Sequence, residues 1–212
     1  MAKIKFYFLW LSIICIGVFI LQNLPITPEF TETFILNQNA VQEFQIWRFV
    51  TAIFLHGSIV HLIYNLFALL FFGFSLEKRI GSKRFLLVFL LSGIIANIFA
   101  VNFYESSLGA SGAIYGILGC LVILAPFSFV WAFGLIMPLF IAVGLWIAGD
   151  VLTTLGAFGE TNVGSIAHLS GVVVGILFGL ILRKPSTIKN LQNKIEIPDN
   201  YIHQWERTYM HR

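Results

Sequence analysis

From Ser106 to Gly149 the chain reads SSLGASGAIYGILGCLVILAPFSFVWAFGLIMPLFIAVGLWIAG, 44 residues without one charged side chain. As a single helix rising about 1.5 Å per residue this stretch would be about 66 Å long, roughly twice the thickness of a bilayer's hydrocarbon core. Two membrane-crossing helices joined by a turn fit that length. Pro126, followed by Ser128, lies near the middle and is the natural turn, giving spans of about 110–125 and 127–148 and leaving Pro138 to kink the second. The apolar residues run continuously, without the polar/apolar alternation of a barrel wall, so helices are expected.

Outward from this stretch the same pattern repeats. Further spans are expected at about 6–21, 59–76, 85–101 and 163–182, which makes six. The first follows Lys3 and Lys5 in the manner of a signal peptide, but Gln22-Asn23-Leu24-Pro25 offers no small-residue cleavage site, so it reads as a retained helix. The composition agrees: of 212 residues, 58% are hydrophobic and 11% charged, with a mean hydropathy of +0.88. A soluble domain is about 25% charged.

Six spans put the N-terminus, the 77–84 connection and the tail on one side, together with every Lys and Arg except Arg48. Basic residues favour the cytoplasmic face, so both termini are expected there. Merging the two spans around Pro126 would send the basic tail outside. The net charge of +3 is accounted for by orientation, and with no basic cluster on a soluble face nucleic-acid binding is not expected. The connection 23–58 contains Trp47, Phe49 and Phe54 among polar residues and reads as a structured element in the outer interface. Residues 1–183 form the membrane domain and 184–212 a polar cytoplasmic tail, either a short helix or disordered. Cys15 and Cys120 sit in apolar runs without metal-ligand spacing and read as ordinary buried residues.

Polar side chains inside a bilayer are costly and mark functional sites. His61 and Asn65 early in the second span, Ser111 at the start of the fourth and His168 early in the sixth all fall in the outer part of the membrane under the orientation above. Singly, each has a packing explanation. Ser111 in Gly109-Ala110-Ser111-Gly112 could be a small residue at a helix contact, and His61 and Asn65, at i and i+4, could be polar glue. A metal reading of His56, His61 and His168 lacks a carboxylate or thiolate, and His56 would face away on a continued helix. Asn97 in the third span fits no pattern.

Together the four residues suit acyl transfer: Ser111 as nucleophile, His168 as its base, and His61, Asn65 and backbone amides near Ser111 as oxyanion donors. Asp150 and Glu160 are assigned to the outer loop, so a dyad without a carboxylate is expected. A transporter would scatter its polar residues over several depths.

These residues resemble the rhomboid proteases. Trp47-Arg48, His61-x-x-x-Asn65, Glu77-x-x-x-Gly81, Gly109-Ala110-Ser111-Gly112 and Ala167-His168-x-x-Gly171-x-x-x-Gly175 occur in the family's order. The resemblance implies an all-α, six-transmembrane-helix bundle hydrolysing peptide bonds in or beside transmembrane segments of substrate proteins, without metal or other cofactor. It implies Ser111 as nucleophile, His168 as general base and acid, and His61, Asn65 and the Gly109 region around the oxyanion. Tyr115 would stack on the histidine, Gly171 and Gly175, continued by Gly179, would form a small-residue seam, and Trp47-Arg48 would belong to the first loop. The fifth span and the 149–162 loop would form gate and cap. A prokaryotic cell membrane is implied, with the site opening extracytoplasmically and a small residue before the cut. The alternative within the same resemblance is an inactive relative that binds membrane clients without cutting them.

Overall fold

The computed structural model describes residues 4–26, 29–157, 164–183 and 199–210. The chain divides into two units, residues 1–182 and 183–212.

The first unit begins with the apolar helix α1 (Tyr7–Gln22). Short elements follow: α2 (Phe30–Phe34), β1 (Leu36–Asn37), α3 (Gln38–Gln42) and α4 (Arg48–Thr51). Then come α5 (Ile59–Ala68), a π-helical turn over Leu69–Gly73, α6 (Phe74–Ile80) and α7 (Ser82–Ala100). A two-residue strand β2 (Ser106–Ser107) pairs antiparallel with β1 and leads into α8 (Ser111–Leu124). A hairpin, β3 (Phe129–Ala132) and β4 (Leu135–Pro138), separates α8 from α9 (Leu139–Thr154), and α10 (Ser165–Leu182) closes the unit. Ile59–Ile80, Ser82–Ala100 and Ser165–Leu182 are long and apolar enough to cross a membrane; α1, α8 and α9 are shorter apolar helices.

The hairpin corrects the expected span 127–148. Residues 129–138 pair as strands through Phe129↔Pro138, Val130↔Met137, Trp131↔Ile136 and Ala132↔Leu135. Val, Ile and aromatic side chains suit a pleated ribbon, and the tight connection is made by Phe133 (φ 53°) and Gly134 (φ 78°). Pro138 does not kink a helix. It precedes one, at φ −59° and ψ 142°, where its missing N–H leaves no bond unmade. The helix that follows is therefore displaced along the chain and extends to Thr154.

The second long helix runs to Ile80, beyond the expected 76, and takes Glu77 into the core. That carboxylate is fully buried and caps α1, accepting from the Tyr7 and Phe8 amides at 3.0 Å each and from the Ser82 hydroxyl at 2.5 Å. A charge placed against the unpaired N–H groups of a helix start is stabilised by them. Gly81, at φ 82°, makes the reversal into α7.

α8 lies at the centre, against α10 and α7. A Cβ on Gly171 would stand 2.1 Å from the Gly112 carbonyl oxygen, and one on Gly175 would stand 2.0 Å from that of Gly116. Only hydrogen fits between backbones this close. The core beside this seam includes Leu76, Phe85, Phe89, Ile117 and Leu121. The second unit contains α11 (Asp199–Tyr209), with Asp199 in its first turn and Arg207 in its last, as the helix dipole favours. The expected start of the last span at Val163, Glu160 and residues 184–198 of the tail lie outside the described residues.

Candidate active site

Three helix beginnings converge here. Ser111 is the first residue of α8, and the chain arrives through Gly109, whose φ of 115° excludes residues with a side chain. The Gly109 N–H donates to the Ala52 carbonyl at 2.9 Å. A Cβ on Gly109 would come within 2.7 Å of His61 Cε1, so the glycine also makes room for that ring. His61 lies in the first turn of α5, which Ser58 caps by accepting the His61 N–H at 3.1 Å. His168 lies in the first turn of α10, which is fixed by the Ile166 N–H donating to the Tyr104 hydroxyl at 3.0 Å.

The Ser111 hydroxyl and His168 Nε2 are 2.8 Å apart, although 57 positions separate them in the chain. Tyr115, one turn further along α8, stacks on the imidazole with ring centroids 4.2 Å apart and planes at 8°. The other ring nitrogen, Nδ1, lies 3.0 Å from Asp150 Oδ1. A carboxylate only accepts, so one tautomer satisfies both contacts: Nδ1–H donates to Asp150 and Nε2 accepts from Ser111. The hydroxyl is thus aligned with the lone pair that would take its proton.

Asp150 corrects the expectation of a site without a carboxylate. It is on α9, not in a loop, and 6% exposed, with Oδ2 buried. A fifth helix ending at 148 leaves Asp150 outside it. The observed helix starts at Leu139 and carries the residue back to the depth of His168. The Phe133-Gly134 pair within an aromatic and β-branched run was the signal available for the hairpin, and through it for Asp150.

Asn65 is buried one turn beyond His61, and its Nδ2 donates to the His61 carbonyl at 3.0 Å, leaving its second amide hydrogen without a bond among the described residues. Gly109 cannot donate to an oxyanion through its own amide, which Ala52 takes. The amides of Ser111, Gly112 and Ala113, which open α8, have no intrahelical acceptor. His56 does not continue a helix, since α5 begins at Ile59. Its buried ring meets His61 edge-on at 5.2 Å, and burial, with His61 as a lesser cause, pushes it down to about 4. Among the described residues no three His, Cys, Asp or Glu side chains group to hold a metal ion.

Arg48 Nη1 donates to the carbonyls of Glu32 at 2.5 Å and Ile35 at 2.8 Å, tying the segment before β1 to α4. Trp47 precedes α4 and is half exposed. Asn97, unexplained by the sequence, donates to the Phe49 carbonyl at 2.9 Å and accepts from the Ser107 hydroxyl at 3.1 Å. It pins both connecting loops to α7.

A family model described as the rhomboid domain matches residues 43–185, which include every residue of this site. Curated relatives include a rhomboid-like protease 3 of Toxoplasma gondii, 36% identical over 140 residues, covering 65% of this chain and 52% of the relative. The rhomboid protease GluP of Bacillus subtilis is 35% identical over 143 residues, covering 66% and 26%. The rhomboid protease GlpG of Yersinia pseudotuberculosis is 26% identical over 166 residues, covering 78% and 58%. The chain thus spans about half or less of the length of two of these relatives and 58% of the third.

Proposed function

This chain belongs to the rhomboid family, and from that premise we infer that it is an intramembrane serine endopeptidase acting on transmembrane segments of other proteins. The observation that carries the reading is the 2.8 Å contact between the Ser111 hydroxyl and His168 Nε2. A serine hydroxyl becomes a competent nucleophile when a base accepts its proton as it attacks.

The geometry supports the following reaction. Ser111 Oγ bonds to the carbonyl carbon of the scissile peptide while its proton passes to His168 Nε2. The oxyanion of the tetrahedral intermediate lies against the amides opening α8, with the His61 ring and the free Asn65 amide hydrogen as side-chain donors. The helix dipole of α8 presents its positive end to the same charge. On collapse the carbon–nitrogen bond breaks and His168 returns the proton to the departing amine. A water molecule then attacks the acyl-serine, with His168 again as base, and releases the carboxylic acid. Gly109 shapes the oxyanion region and holds the ring of His61 rather than donating a hydrogen bond.

Six spans with both termini in the cytoplasm follow from the charge distribution, and the shorter α1, α8 and α9 then cross within a bundle. The site opens on the extracytoplasmic side, since Ser111, His61 and His168 all lie at the starts of helices running inward. Twelve of the thirteen Lys and Arg then lie inside. The chemistry asks for no cofactor. The purified protein in liposomes is expected to cleave a single-span model substrate, and Ser111→Ala to lose this activity while remaining folded. Cleavage by Ser111→Ala at the wild-type rate excludes the mechanism, and no cleavage by the wild type favours the client-binding alternative.

A further inference from the structure

We propose that Asp150 is a positioning residue of this site, fixing the His168 imidazole in the tautomer and orientation in which Nε2 faces Ser111. The inference rests on the serine-protease reading and extends it from a pair of residues to three.

Besides Ser111, the imidazole meets Tyr115 and Asp150, and these two contacts do different work. Stacking on Tyr115 fixes the plane of the ring, at 8° and 4.2 Å, but a stacked ring can turn over about its Cβ–Cγ bond, and stacking is blind to which nitrogen holds the hydrogen. The Nδ1–Oδ1 contact of 3.0 Å fixes both. Asp150 gives Nδ1 its only side-chain acceptor among the described residues, and with Nδ1 protonated the lone pair of Nε2 points at the Ser111 hydroxyl 2.8 Å away.

The second argument is the cost of the residue. Asp150 is the one charged side chain between Ser106 and Gly159. It is 6% exposed, and burying a carboxylate costs desolvation that a fold needing only packing at this position would avoid. Its Oδ1 faces the ring that must become positive during catalysis. When Ser111 Oγ bonds to carbon its proton moves to Nε2, and the Nδ1 proton stays on nitrogen and hydrogen-bonded to Asp150. The negative carboxylate offsets the imidazolium charge, and the Nε2 proton later leaves with the amine, so Asp150 is unchanged throughout.

A purely structural role, tying α9 to α10, is separable from this one. Asp150→Asn preserves size and can keep a hydrogen bond to the ring, but it removes the charge and can offer an N–H that stabilises the wrong tautomer. The experiment measures reaction of a fluorophosphonate with the full-length protein in detergent, as the saturating labelling rate and the half-saturating concentration, normalised to the folded fraction. Asp150→Asn is expected to lower the saturating rate by about 10²-fold or more, the scale of general-base catalysis, with the half-saturating concentration little changed. Asp150→Glu, which keeps the charge, is expected to regain part of the rate. Wild-type labelling by Asp150→Asn, or equal losses in the two variants, overturns the proposal. Labelling that persists in Ser111→Ala instead overturns the protease reading itself, so the two failures are distinguishable.

Discussion

Asn65 uses one amide hydrogen on the His61 carbonyl, and under the proposed mechanism the other serves the oxyanion. Asn65→Ala is therefore expected to leave a measurable activity, lowered about 10²-fold to 10³-fold, because one oxyanion donor is worth about that much. Cleavage of a single-span substrate by the variant in liposomes checks it. His56 makes a separate prediction. Its imidazole is held neutral by burial, pushed down to about 4, while the unfolded chain binds the proton near the ordinary 6.5. The unfolded state thus holds more protons between those values, and stability falls as pH drops from about 6.5 towards 4. His56→Gln is expected to flatten thermal unfolding midpoints across that window. The grouping of Ser111 and His168, with His61 and Asn65 near another helix start, was legible in the sequence because polar side chains stand out in apolar runs. Asp150 was not, because its relevance depends on where α9 begins.

Among the elements, the seam between α8 and α10 is the most demanding. Gly175→Val would drive a side chain into the Gly116 carbonyl, 2.0 Å from the new Cβ, and a backbone oxygen in a packed helix cannot move aside. The helices must separate, at a cost near or above the upper end of the ~1–3 kcal/mol typical of overpacking. The change is expected to lower the thermal midpoint in detergent, with Ser111 and His168 drifting apart and activity falling with it. Gly-x-x-x-Gly spacing made this contact readable. The β3–β4 hairpin was hidden for the opposite reason: its strands are as apolar as the helices beside them, so hydropathy does not mark the change. Aromatic and β-branched residues around Phe133-Gly134 did so, but weakly. Glu77 is another element-scale device. Glu77→Ala leaves the α1 amides of Tyr7 and Phe8 without their acceptor, an expected loss of about 1–3 kcal/mol in reversible unfolding in detergent.

At the scale of the whole molecule, the proposed orientation rests on charges distant from the site, and the side from which substrate and water would enter rests on that orientation. A reporter fused after Arg212 is expected to be cytoplasmic; an extracytoplasmic result reverses the side on which Ser111 is reached. The bundle was legible from the spacing of apolar runs, whereas the three-way convergence on one imidazole was not, because it depends on the exact lengths of α8, α9 and their connection. The most direct test of the central claim is mass-spectrometric mapping of the adduct formed by a fluorophosphonate on the membrane-reconstituted protein. A single adduct on Ser111, absent in Ser111→Ala and strongly reduced in His168→Ala, is predicted. An adduct on another residue, or one on Ser111 that forms equally fast without His168, contradicts the account.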